Sequence, residues 1–174
     1  MAMESENDVA APLDLVEGEV WPEWIDYNGH MNVAYYLLAF DQAYDAFLLA
    51  CGLDREFRDR TGGSTFAAET HLRYLRELKE GEPYRVTGHL LASDGKRMHV
   101  FLRMYSRRSG DLAATMEGMN LYVDLSVRKV VVMPEEIRAR VAAIQRRHAR
   151  LPRPVEAGRG IAMPERPWPG GEEA

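Results

Sequence analysis

A chain of 174 residues makes one domain with short extensions, and 46% apolar residues are enough for a hydrophobic core. A net charge of −5 argues against nucleic acid as a partner, and a single cysteine rules out an internal disulfide and fits a reducing compartment. No apolar run reaches the ~18 residues of a membrane span, and residues 1–12 carry three acids and no Lys or Arg, unlike a secretory signal; a cytoplasmic protein is expected.

The acidic, small-residue start, 1–12, is expected to be disordered, and the folded domain to run over 13–150. Residues 13–20 alternate apolar and acidic side chains around Val16 and Gly18, which predicts a first strand with a bulge. Residues 33–50 hold neither Gly nor Pro and predict a helix about 27 Å long. Its apolar residues Val33, Leu37, Phe40, Tyr44, Phe47 and Cys51 recur at three and four, and Ala34, Leu38, Leu48 and Leu49 widen that stripe, so the helix reads as mostly buried. Asn32 stands where a side-chain oxygen caps the first turn.

Gly52 ends the helix, and residues 54–64 read as a polar linker. Four strands are then predicted in succession, over 65–78, 84–92, 97–106 and 112–125, with Asp94-Gly95 at the centre of a hairpin turn. Residues 129–133 are expected to extend the sheet. Pro134, Glu135 and Glu136 open a second helix whose stripe is Ile137, Val141 and Ile144. The tail, 151–174, has five of the nine prolines and four of the fourteen glycines and reads as an extended or disordered arm. One strand, one buried helix and an antiparallel run of about five strands in all is an α+β arrangement with the helix on one sheet face. Its open edges favour a homodimer or homotetramer.

The chemistry concentrates in Asp26-Tyr27-Asn28-Gly29-His30-Met31-Asn32, a carboxylate, an imidazole and two amides around a glycine at the amino end of the long helix. An Asx turn is the bland account of Asp26 followed by Asn28 and Gly29. His71, His89 and His99 lack His-x-His or His-Glu-x-x-His spacing, so no metal site is expected, and Cys51 reads as core.

This motif and the order of elements resemble the hotdog fold, in particular the 4-hydroxybenzoyl-CoA thioesterase-like family, over residues 13–145. The stretch 69–77 looks like that family's second strand and Val123-Asp124-Leu125 like the end of its fifth. Residues 24–30 and 94–99 look, more narrowly, like thioesterases of carnitine and betaine breakdown. The resemblance implies hydrolysis of a short acyl-CoA, with CoA part of the substrate and no other cofactor. It places Asp26 as nucleophile or general base, a choice the sequence leaves open, and the polarising N–H seven residues later at Val33. Gly29 would let the backbone approach the thioester, His30 would orient Asp26 or substrate, and Asn32 would serve as cap, site residue or both. Lys96 and Arg97 at the hairpin, then Arg73 and Arg76, are candidates for the CoA phosphates, each with a solvated surface charge as its alternative. Trp24, Tyr27 and Tyr36 crowd Asp26 and are candidates for a cationic acyl group such as betainyl, or for packing. Two further readings stand beside this one. A hotdog enoyl-CoA hydratase is kept by the four-residue separation of Asp26 and His30, and a non-catalytic acyl-CoA-binding module by the fold.

Overall fold

The computed structural model describes residues 10–163, and most of the predicted disordered start and the end of the predicted tail lie outside the described residues. Helix α1, Val33–Ala50, begins where Asn32 Oδ1 accepts the Ala34 N–H at 2.9 Å. It buries Tyr36, Ala39, Phe40, Ala43, Tyr44 and Phe47. The predicted stripe is therefore rotated: Val33 and Leu37 are 54% and 44% exposed, and Leu38 41%. A helix apolar nearly all round has no single face that periodicity can select. Packing selects the one carrying Ala39 and Ala43, whose small side chains let the helix axis approach the sheet.

The sheet is antiparallel throughout, in the order β1-β3-β4-β5-β2. Its strands are β1 Leu13–Glu19, β2 Gly63–Tyr74, β3 Pro83–Ser93, β4 Arg97–Ser106 and β5 Leu112–Asp124, and β6, Lys129–Val130, adds a short pairing to β5. The bulge predicted in β1 falls between Asp14 and Val16. The Asp94-Gly95 turn is present, with Gly95 at φ +81°. Strand β2 stops at Tyr74, short of the predicted 78, because Leu75 and Arg76 both turn their N–H groups onto the Ala113 carbonyl. Leu78 then drops into the core.

The predicted linker 54–64 contains a helix, α2, Arg55–Thr61. Asp54 Oδ1 caps it through the Phe57 N–H at 2.7 Å, Phe57 is buried, and Gly62 ends it at φ +68°. Seven residues with one buried apolar anchor give too little periodicity to register against a polar background.

Helix α3, Glu135–His148, packs on β3, with Ile137 and Val141 in the core cluster and His148 against His89 on the outer sheet face. Pro134 sits at the cap position, one residue ahead of the predicted first turn. The part of the tail that is described folds back onto this face: Pro154 is buried, Glu156 lies 3.8 Å from Arg103, and the Gly158 N–H donates to Glu117 Oε2 at 2.7 Å.

Strand β3 shifts register between Leu90 and Ala92, and there the Leu90 N–H donates to His148 Nδ1 at 2.9 Å. An Nδ1 that accepts cannot carry a proton. Burial, then the neighbouring His89 and the Arg147 charge, hold His148 down to about 4, and burial lowers His89 as well. Both histidines titrate near 6.5 once unfolded. Below that pH the unfolded chain takes up protons that the fold refuses, so stability is full above about 6.5 and falls as pH drops toward 4. At 1.36 kcal/mol per unit the loss is on the order of 3 kcal/mol. Urea midpoints measured from pH 7 to 4.5 should fall in the wild type and fall much less in His148→Gln; an unchanged slope in the variant assigns the effect elsewhere.

Candidate active site

The polar motif closes into a small hairpin ahead of α1. The Asn32 N–H donates to the Trp24 carbonyl at 2.8 Å, Ile25 bridges Met31, and the Asp26 N–H donates to the His30 carbonyl at 3.0 Å. Gly29 turns the chain at φ +78° and donates its N–H to the Asp26 carbonyl. A Cβ at Gly29 would meet nothing within 4 Å, so the backbone angle, not space, calls for glycine here. The Met31 N–H donates to the Leu78 carbonyl at 2.8 Å, which ties the hairpin to the loop that follows β2.

Inside the turn, Asp26 Oδ1 accepts the Asn28 N–H at 2.8 Å, the Asx turn that composition allowed. His30 Nδ1 stands 3.8 Å from the same oxygen and 3.3 Å from the Met31 carbonyl oxygen. The Asp26 side chain is 12% exposed, shielded on most sides yet open to a reactant. Immediately after the turn, α1 presents its amino end. Asn32 satisfies the Ala34 N–H, while the Val33 N–H, in the first turn, has no carbonyl inside the helix to meet. A carboxylate, an imidazole and a helix amino terminus with its partial positive charge are thus held within eight residues. Such a set can attack a carbonyl carbon, or activate water toward it, and polarise the carbonyl oxygen.

The other sequence candidates do not gather here. Trp24 is buried, stacked on Tyr35 at 5.3 Å and tilted against Trp21 at 5.4 Å, which leaves no free ring face. Tyr36 is buried too: its hydroxyl accepts the Leu78 N–H at 2.9 Å and donates to the Arg76 carbonyl, so it braces the loop beneath Met31. Tyr27 is 96% exposed at the tip of the turn. The three form no aromatic cage within the chain.

The four cations fall into two groups. Arg97 is held by Asp94 at 2.6 Å, and with the Lys96 N–H it draws that carboxyl down to about 2. Lys96 projects at the exposed turn. Arg76 is tied to Ser109 and to Asp111 at 3.0 Å, with Glu82 at 3.9 Å. Arg97 pairs with Leu121 and Arg73 with Thr115 along β5, so the two groups lie roughly 20 Å apart at 3.3 Å per residue. Arg73 and Arg76 share the Asp26 end of the sheet, where Tyr74 Oη donates to the Val33 carbonyl at 3.4 Å.

Two cavities were not foreseen. A slot of about 470 Å³ opens between α1 and the β2–β5 edge of the sheet. Its helix side carries Leu37, Leu38, Asp41 and Tyr44, and its sheet side Thr70, Met116 and Asn120. Gly118, between Met116 and Asn120, contributes no side chain, and a Cβ there would press on Asn120 Nδ2 at 3.3 Å. A second cavity, of about 500 Å³, lies on the outer face beneath residues 158–161, beside His99 Nε2 and Glu117 Oε1 at 2.6 Å.

The thioesterase-like superfamily model matches residues 20–141. The chain is 42% identical over 152 residues to a betainyl-CoA thioesterase of Pseudomonas aeruginosa, covering 87% of this chain and 96% of that protein. It is also 42% identical, over 90% of its length, to an L-carnitine dehydrogenase/betainyl-CoA thioesterase of Rhizobium meliloti, of which it spans 31%. Its fold superposes at TM-score 0.82 and 29% identity on a Staphylococcus aureus protein solved in complex with CoA, covering 88% of this chain and 97% of that one. With its antiparallel sheet curled on one long helix, the chain belongs to the thioesterase-like superfamily, as an acyl-CoA thioester hydrolase of the hotdog fold.

Proposed function

We propose that the chain hydrolyses betainyl-CoA, or a closely related short acyl-CoA bearing a quaternary ammonium, to the free acid and CoA. The observation that carries this is the 42% identity running over nearly the whole of a single-function betainyl-CoA thioesterase. In this reading Asp26 attacks the thioester carbonyl, or draws the proton from a water that does, and the Val33 N–H at the helix terminus receives the developing oxyanion. His30, 3.8 Å from Asp26, orients the carboxylate. Arg73 and Arg76, at the same end of the sheet, are better placed for CoA phosphates than Lys96 and Arg97 of the same chain. Cys51, buried as a free thiol and pushed up to about 12, fits a reducing cytoplasm.

The working unit in this reading is a homodimer, alone or paired into a tetramer. Exposed Val33, Leu37 and Leu38 lie beside the uncovered edge strand β2, whose residues Ala67 and Thr70 face solvent. An apolar helix face next to an unpaired strand edge is the surface a second copy would cover.

Three measurements test the reading. Free CoA released from an acyl-CoA panel and read with a thiol dye should show at least about tenfold higher kcat/KM for betainyl-CoA than for isovaleryl-CoA. Equal efficiencies would withdraw the substrate, and loss of an enoyl chromophore without free CoA would favour a hydratase instead. Asp26→Asn should lower kcat at least about a thousandfold, or ~4 kcal/mol, with the fold retained; near-normal turnover would reject Asp26 as nucleophile or base. Light scattering should give a dimer or larger, converted to inactive monomer by Leu37→Asp; an active wild-type monomer would sink the assembly.

A further inference from the structure

The slot between α1 and the β2–β5 edge has a lining that packing alone does not account for. Its walls are mainly apolar, from Leu37, Leu38 and Met116, yet Asp41 stands on it with a carboxylate that joins none of the ion pairs among the described residues. Its neighbour Tyr44 is only 8% exposed, and its buried hydroxyl has the Thr65 hydroxyl as its polar neighbour. Burial, and next the Asp41 charge, raise the Asp45 carboxyl, with the Arg58 charge acting against them.

We infer that Asp41 is the specificity-determining residue for the cationic acyl group: its carboxylate is the counter-ion of the quaternary ammonium, at the mouth of a slot whose apolar walls receive the methyl groups. This rests on the betainyl-CoA reading and on the proposed dimer. The ammonium of a betainyl group is two bonds from the carbonyl carbon, so the residue that recognises it must lie next to the catalytic carboxylate. Within one chain it does not, because Asp41 is eight residues, or about 12 Å, along α1 from Val33.

Across a two-fold interface it does. Val33, Leu37 and Asp41 follow one another at single-turn spacing on the exposed side of α1. In an isologous antiparallel contact centred on Leu37, each residue meets the one equally far on the other side of the centre. Val33 of one subunit then faces Asp41 of its partner. The amino end of α1, with Asp26 ahead of it, is set against the slot of the second copy, and the acyl group of a thioester held at Asp26 projects toward the partner subunit's Asp41. The helix terminus polarises the carbonyl while the partner supplies the opposite charge for the ammonium. A quaternary ammonium cannot donate a hydrogen bond, so a carboxylate recognises it through charge and through contact with its methyl groups.

The test uses betainyl-CoA and its uncharged isostere 3,3-dimethylbutyryl-CoA, in which carbon replaces the ammonium nitrogen. In Asp41→Asn the ratio of kcat/KM between the cation and the isostere should fall at least about tenfold, equivalent to 1.4 kcal/mol, with most of the change in KM for betainyl-CoA. Asp41→Glu, which keeps the charge, should keep most of the preference, and it decides the matter should the Asn variant fail to fold. A ratio unchanged in Asp41→Asn, or both substrates slowed by the same factor, overturns the assignment. Wild-type enzyme that hydrolyses the isostere but not betainyl-CoA overturns the substrate reading itself, and the role of Asp41 with it.

Discussion

The seating of α1 on the sheet is the contact on which the rest depends. Ala39 and Ala43 bring the helix close to strands that carry Val86, Leu90, Val100, Leu102 and Met104, while Phe40 and Phe47 fill the space to either side. Once that axis is fixed, the position of its amino end is fixed too, and the site is built there. Trp24 stacked on Tyr35 and the Leu78 carbonyl under Met31 hold the hairpin from opposite directions. Asp26 therefore owes its placement to the packing of core residues.

The same seating explains why one side of α1 stays uncovered. A helix can press only part of its circumference onto a single sheet, and a sequence apolar nearly all round leaves Val33, Leu37 and Leu38 over. The outer sheet face has no such surplus. There α3 lies on β3, His148 accepts from the bulge in that strand, and residues 154–158 strap back through Glu156 and Gly158. What remains open is the side of the helix next to the slot and the β2 edge.

Much of this was legible in the residues. Asn32, the Asp94-Gly95 turn, the bulge in β1 and the limits of α1 each rest on local stereochemistry that one or two side chains determine. So did the closeness of Asp26, His30 and the helix end, since eight residues around a glycine cannot spread far. What could not be read was anything settled by packing between distant segments. The rotation of α1 places Tyr36 in the core, although its position in the sequence set it beside Asp26. Helix α2 depends on one buried phenylalanine. The fold-back of the tail depends on a glutamate forty-one residues away in sequence. The sequence put Lys96 and Arg97 ahead of Arg73 and Arg76 for the CoA phosphates, and only the strand register shows that the two groups lie against opposite ends of β5.

The slot shows how such a feature escapes pattern reading even when every residue in it is visible. Asp41 interrupts an apolar helix, and the usual account of a polar residue there is a solvated face. Gly118 in a strand is ordinarily read as a bulge or a close approach of backbones. Only the register of β5 against β2, which pairs Gly118 with Thr70, sets the missing side chain opposite Asp41 and turns two unremarkable residues into a cavity. A pocket made this way is bordered by the helix face that the sheet leaves bare, so cavity and apolar surface arise from one packing solution.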